Sequence, residues 1–164
     1  MKRLGIAITL LAFGVAGCGS NNNGNPNQPS NITVFTVQLS PANENPPITN
    51  AESSARGTAV ITVNSQTNTI DFNVSLNSFP TTSQLTAAHI HPGAAGVNGT
   101  VLIGTGLSSA NAPSLSSGSA TFSFTGVSEQ SPGQIAQILA NPQNFYFNVH
   151  TSANPSGVMR GQLK

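Results

Sequence analysis

The chain has 164 residues, only 5% of them charged, and a formal net charge of +1. Beyond residue 30, three isolated cations face four carboxylates. This composition excludes the clustered basic surface that nucleic-acid binding requires. The single cysteine, Cys18, excludes a disulfide within the chain and leaves residues 31–164 without a thiolate nucleophile.

The N-terminus is typical of an exported protein. Residues 2–3 are basic, and residues 4–14 form an apolar run that is too short to span a bilayer. Val15-Ala16-Gly17-Cys18 follows and resembles the lipobox of a bacterial lipoprotein signal peptide. This resemblance implies cleavage of residues 1–17 and acylation of Cys18, by palmitate among other chains. Several acyl chains on one residue give stable anchoring, so the membrane is the first expected partner.

Residues 18–30 predict a flexible tether between the lipid and the folded domain. The sequence GSNNNGNPNQPS has no large apolar side chain to bury and is rich in Asn, Gly and Pro. The expected location is therefore the bacterial cell envelope, outside the cytoplasm. Gly19, where an aspartate would signal retention in the inner membrane, favours the outer membrane in an organism that has one.

Residues 31–164 have the length of one domain and the patterning of β-structure. Apolar residues alternate strictly with polar residues over 70–76, which is typical of a strand with one buried face. Similar runs occur at 33–39, 58–63, 100–103, 120–124, 145–150 and 158–163, and residues 87–91 are a further candidate strand. The pattern predicts an all-β fold, an antiparallel β-sandwich of seven or eight strands with Greek-key or superoxide-dismutase-like topology.

One short helix is expected near residues 132–140. Ser131 can cap its N-terminus, Pro132 suits the first turn, and Asn141-Pro142 ends it. We expect this helix to pack over one end of the sandwich without contributing ligands.

All three histidines lie in two strand segments. His89 and His91 are two residues apart and share one strand face, while His150 lies with Asn148 on the less apolar face of its strand. If the two strands are neighbours, three imidazoles converge outside the main core. Neutral imidazoles in this arrangement suit copper or zinc. A structural hydrogen-bond network of the same histidines is the alternative.

Two further residues are expected to support that region. Asn154-Pro155-Ser156-Gly157 predicts a tight turn and hence a final hairpin, which brings Arg160 near His150. Arg160 could anchor an anion, but we favour a structural role as a donor to backbone carbonyls or to Glu44.

Three segments carry a family resemblance: LSPANENPPI (39–48), AAHIHPGAAGVNGTVL (87–102) and YFNVHTSANPSGVMRGQL (146–163). They resemble the successive motifs of the CHRD domain, first defined in chordin and widespread in bacterial exported proteins. In chordin these domains belong to an extracellular protein that binds growth factors. The resemblance therefore implies an extracellular or periplasmic protein or polymer as a partner.

A looser resemblance links His89-Ile90-His91 to the H-x-H copper motif of copper-zinc superoxide dismutase. The chain has no further histidine for the remaining metal positions of that enzyme, so metal binding is favoured over redox catalysis. No serine triad or carboxylate pair is evident. We therefore expect a binding or structural module rather than an enzyme, with a three-histidine copper or zinc site as the alternative.

Overall fold

The computed structural model describes residues 30–164. The signal peptide, Cys18 and all of the tether except Ser30 lie outside the described residues. In the part of the chain that is described, no helix is long and apolar enough to cross a membrane.

Within residues 30–164, eight strands form two four-stranded sheets in which every pairing is antiparallel. The strands are β1 (Ile32–Leu39), β2 (Arg56–Asn64), β3 (Thr69–Asn77), β4 (Leu85–Pro92), β5 (Ile103–Gly104), β6 (Ala120–Ser128), β7 (Phe145–Thr151) and β8 (Met159–Gln162). The first sheet has the order β1-β2-β3-β6, and the second has the order β5-β4-β7-β8. The predicted all-β antiparallel sandwich is confirmed.

The core lies between the two sheets and follows the predicted alternation. In β3, Ile70, Phe72, Val74 and Leu76 are buried, whereas the residues between them are partly or fully exposed. Phe72 stacks on Phe147 of the second sheet with ring centroids 5.6 Å apart. Burial of alternate apolar side chains on facing sheets therefore holds the sandwich together.

The predicted strand at 100–103 was wrong in extent, because only Ile103 and Gly104 pair with β4. Before them, the amide of Leu102 donates to the carbonyl of Ile90 at 2.8 Å. Two glycine-containing loops flank this pair, so the edge of the second sheet is short. Short edge strands limit unwanted pairing with other chains.

The helix α1 (Gln134–Ala140) and the short 3₁₀ turn Pro142–Asn144 connect β6 of one sheet to β7 of the other. The helix ends before Asn141-Pro142 as predicted, but Ser131 does not cap it. Instead, the Glu129 carboxylate accepts hydrogen bonds from the amides of Gly133 (3.1 Å) and Ile135 (2.9 Å). A longer, charged acceptor reaches the unpaired amides of the first turn and complements their positive potential.

One side of the sandwich is nearly closed, where the end of β1 meets β8. Ser40 and Arg160 exchange backbone hydrogen bonds of 3.2 and 3.3 Å. Gly161 allows this approach, because a Cβ at that position would overlap the carbonyl oxygen of Gln38 and lie 2.7 Å from Cγ1 of Val37. The closure directs residues 41–48, including the 3₁₀ turn Pro41–Asn43, over the outer face of β8.

The variant Gly161→Ala should destabilise the domain by about 1–3 kcal/mol, because the added methyl group forces β1 and β8 apart. Urea unfolding monitored by circular dichroism measures this change. Gly104→Ala is the matched control, since the nearest atoms to a Cβ there are 3.6 Å away. An equal loss of stability in both variants would contradict the closure.

Candidate metal centre

The candidate site lies on the outer face of the second sheet, opposite the apolar core. In β4, His89 and His91 alternate with the buried core residues Ala88 and Ile90. β4 and β7 are adjacent strands, in which Ala87 pairs with His150 and His89 with Asn148. The three histidines could converge only if their two strands were neighbours, and β4 and β7 are neighbours.

Loops cover much of this outer face and bury two of the three histidines. His91 and His150 are only 6% and 7% exposed, whereas His89 is half-buried. Strand parity placed these side chains away from the apolar core. Strand parity did not predict that loops would bury them there. These loops form a second, polar layer over the outer face of the sheet.

The three imidazoles converge. One ring nitrogen from each of His89, His91 and His150 lies within 4.8 Å of the others. Nδ1 of His89 and Nε2 of His150 are 3.1 Å apart. Three nitrogen donors at this spacing form a candidate metal centre.

Backbone carbonyls orient two of the rings. Nδ1 of His91 is 3.0 Å from the Gly99 oxygen, and Nδ1 of His150 is 3.0 Å from the Pro155 oxygen. A carbonyl only accepts, so in both rings Nδ1 carries the hydrogen and Nε2 keeps its lone pair. Nε2 of His91 is buried and lacks a hydrogen-bond partner within residues 30–164. Such carbonyl contacts are the usual outer support of metal-binding histidines.

Electrostatics keep the rings neutral. Burial, followed by the charges of His150 and His91, lowers the pKa of His89 to about 4. Burial also lowers the pKa of His91 and of His150. Neutral imidazole is the form that binds a metal, so at neutral pH no proton has to be displaced.

Tyr146, which the sequence analysis did not select, supports His91. Its ring lies parallel to that of His91, with centroids 5.0 Å apart and an interplanar angle of 5°. Its hydroxyl accepts a hydrogen bond from the amide of Gly99 at 3.2 Å. His91 therefore binds the carbonyl of Gly99, and Tyr146 binds its amide.

Arg160 is 2% exposed and connects the loops above the sheet. It donates to the carbonyl oxygens of Asn43 (2.7 Å) and Val97 (3.3 Å) and to Oδ1 of Asn98 (2.9 Å). Its guanidinium carbon lies 4.5 Å from the centre of the Tyr146 ring. In these contacts Arg160 donates hydrogen bonds to backbone carbonyls and an asparagine side chain, as a structural residue would.

Glu44 and Asn148 lie beside Arg160. Oε2 of Glu44 is 3.6 Å from Nε of Arg160, and both side chains are buried. Asn148 pairs with Arg160 across β7 and β8 and is 2% exposed. Its amide packs against Gly157, where a Cβ would be 2.5 Å from Nδ2.

A second carboxylate, Glu52, was also missed. It is 2% exposed and accepts hydrogen bonds from Ser83, from Thr151 (2.7 Å) and from Asn154 (2.6 Å). These bonds hold the turn between β7 and β8, whose Pro155 carbonyl orients His150. No local pattern distinguishes Glu52, because its partners are distant in sequence.

This antiparallel sandwich, with a polar layer over one sheet, can be assigned to a family. The sequence profile of the CHRD domain matches residues 35–163, a span that runs from within β1 to the residue after β8. The chain belongs to the CHRD domain family. Neither a search of curated proteins nor a search of solved structures found a match.

Glu44→Gln should change how stability depends on pH. Burial raises the pKa of Glu44 to about 7, and the charge of Arg160 only partly opposes this shift. Between about pH 4.5 and 7 the folded wild type keeps a proton that the unfolded chain releases, so wild-type stability falls as pH rises.

The free energy of unfolding of Glu44→Gln minus that of the wild type should therefore increase from pH 4.5 to 7 and level off above. Urea unfolding at a series of pH values measures the difference. Asp71→Asn, a carboxylate change on the other sheet, is the control. A difference that falls as pH rises would mean that the Arg160 ion pair dominates.

Proposed function

We propose that this CHRD-domain protein is a lipid-anchored binding module of the bacterial cell envelope that holds a copper or zinc ion on His89, His91 and His150. The observation that carries the metal is the convergence of three neutral imidazoles, two with their tautomers set by backbone carbonyls. This convergence favours the metal-site alternative over a purely structural use of the histidines.

The spacing supports the proposal. Metal–nitrogen bonds of about 2.0–2.1 Å place tetrahedral ligand atoms roughly 3.4 Å apart. The His89–His150 nitrogen pair at 3.1 Å is close to that value, and all three lie within 4.8 Å. His89 is the most exposed of the three, so its ring has the most freedom to adjust.

The donor set defines the chemistry. Three neutral imidazoles suit zinc and copper and leave a coordination position for water or an added ligand. The neighbouring carboxylate, Glu44, is paired with Arg160 and does not contact the histidines by any ion pair or hydrogen bond within residues 30–164. Binding is therefore better supported than acid–base catalysis.

The competing function is a structural histidine network, which the 3.1 Å contact between His89 and His150 favours. In that network one ring donates to the other and no metal is needed. It leaves Nε2 of His91 buried and unpaired, at a cost of about 1–3 kcal/mol. A metal ion would use this atom, which is why we prefer the metal.

In a Cys18→Ser background, which removes the only thiol, the protein should bind about one zinc or copper ion per chain. The double variant His89→Ala/His150→Ala should lose it. Dialysis against each metal followed by elemental analysis measures the content, with Asp71→Asn as control. Equal metal content in wild type and double variant would refute the site.

A second measurement needs no histidine variant. In ¹⁵N spectra of the imidazoles, zinc should shift the signals of Nε2 in His91 and His150 and of Nδ1 in His89. Nδ1 of His91 and of His150 should keep their protons, because each faces a carbonyl. Unchanged spectra would instead support the structural network.

The anchor is proposed from the sequence of residues 1–18. Cys18→Ser should abolish incorporation of an alkyne-labelled palmitate analogue in a bacterial host, because the sulfur that carries the acyl chain is lost. Ser20→Ala, two residues away, should be labelled like the wild type. Equal labelling of Cys18→Ser would contradict lipidation at this residue.

A further inference from the structure

A cavity of about 410 Å³ lies over the outer faces of β7 and β8. Its walls come from three loops: residues 44–48, the Asn98-Gly99 turn and residues 153–157. His91, Tyr146, Asn148 and Arg160 also line it. This volume is near the lower end of the range for small-molecule sites.

Unpaired polar atoms concentrate in this cavity. Within residues 30–164, four buried side-chain atoms have no hydrogen-bond partner: Oε1 of Glu44, Nε2 of His91, Oδ1 of Asn148 and Nη2 of Arg160. All four residues line the cavity. Each is at least nine-tenths buried. Buried polar groups are nearly always paired in folded proteins, so their grouping here indicates a partner.

The unpaired atoms define what that partner must offer. His91 belongs to the metal centre, which leaves one donor, on Arg160, and two acceptors, on Glu44 and Asn148. An anion would satisfy Arg160 but would face the two acceptor oxygens. A cation would satisfy the oxygens but would face the guanidinium. A hydroxyl group both accepts and donates, so adjacent hydroxyls satisfy all three.

The charges agree with a neutral partner. Glu44 and Arg160 are 3.6 Å apart and are the two charged residues among those that line the cavity. Above about pH 7, where the Glu44 carboxyl is ionised, the two charges cancel, so the cavity neither attracts nor needs a net charge. The unpaired hydrogen-bonding atoms and the balanced charges therefore both favour a neutral ligand that carries hydroxyl groups.

The walls are held in place before a ligand arrives. Arg160 holds two of the loops through Asn43, Val97 and Asn98. Gly157 has a φ of +130° and lies directly against the Asn148 amide, where a side chain would not fit. A preformed site loses little entropy when it binds.

We infer that the cavity bounded by Glu44, Asn148 and Arg160 is a binding site for a neutral, hydroxyl-rich small molecule of the monosaccharide or polyol class. The cavity shares His91 as a wall with the proposed metal centre, but its three ligand-binding groups, on Glu44, Asn148 and Arg160, are not ligands of that centre. A ligand with about twelve heavy atoms at ordinary efficiency binds with a Kd of about 1 mM.

The test uses full-length protein at about pH 8, where Glu44 is ionised, in a detergent without a sugar headgroup. D-Glucose and sorbitol are the neutral probes, and acetate and phosphate are the anionic probes. Saturation-transfer NMR detects binding, and shifts of the Asn148 amide and Arg160 guanidinium signals locate it. Each titration is run on metal-free and zinc-loaded protein, so that failure of the metal site and failure of this site are distinguishable.

We expect glucose or sorbitol to shift the Asn148 and Arg160 signals with or without zinc, and the anions to leave them unchanged. Glu44→Gln should weaken binding of the neutral probe about fivefold, because a charged acceptor is lost. The same variant should gain acetate binding, since Arg160 is then uncompensated. Asp71→Asn, which removes a carboxylate on the other sheet, should behave as wild type.

Three results would overturn the inference. The first is no response to either neutral probe well above the expected Kd, which would mean that water alone pairs these atoms. The second is tighter binding of acetate or phosphate than of the neutral probes by the wild type. The third is a neutral probe that binds the wild type and Glu44→Gln equally, which would place binding elsewhere.

Discussion

The whole structure depends on strand β7 being buried on both faces. All seven of its residues are buried. Its inner face contributes Phe147, which stacks on Phe72 across the core, and its outer face contributes Tyr146, which stacks on His91. A strand covered on one side by a sheet needs a different cover on the other side. Here the cover consists of loops, whose backbone groups must be paired.

Arg160 meets most of that requirement. It pairs two loop carbonyls and an asparagine oxygen, packs on Tyr146 and faces Glu44. A buried ion pair adds little stability by itself, because desolvation offsets the attraction. The contribution of Arg160 lies in the groups it satisfies, each of which would cost about 1–3 kcal/mol if left unpaired. The three histidines and the cavity both lie in the layer that Arg160 holds.

Strand parity could be predicted from the sequence because it is local. Alternation over residues 70–76 sufficed to identify the buried face of β3. The same alternation over residues 145–150 placed His150 on the strand face opposite the apolar residues. Convergence of His89 and His150 could not be predicted, since it depends on which strands are neighbours. Burial of His91, and the roles of Glu52 and Tyr146, depend on partners far along the chain. The predicted cap, Ser131, was wrong because the search for a cap considers the residue next to the first turn. The residue that binds the first-turn amides, Glu129, lies further from the helix.

The make-up of its core distinguishes this fold from metal-dependent folds. In a zinc finger the metal supplies the core, and removing it unfolds the chain. Here an apolar core from Phe35 to Leu163 forms between two sheets without using the histidines. Backbone carbonyls fix the rings of His91 and His150 independently of any ion. A metal would therefore add stability only through its binding equilibrium, as a ligand of a folded protein does. Three histidine ligands would leave such an ion with an open coordination position, where a further ligand could bind.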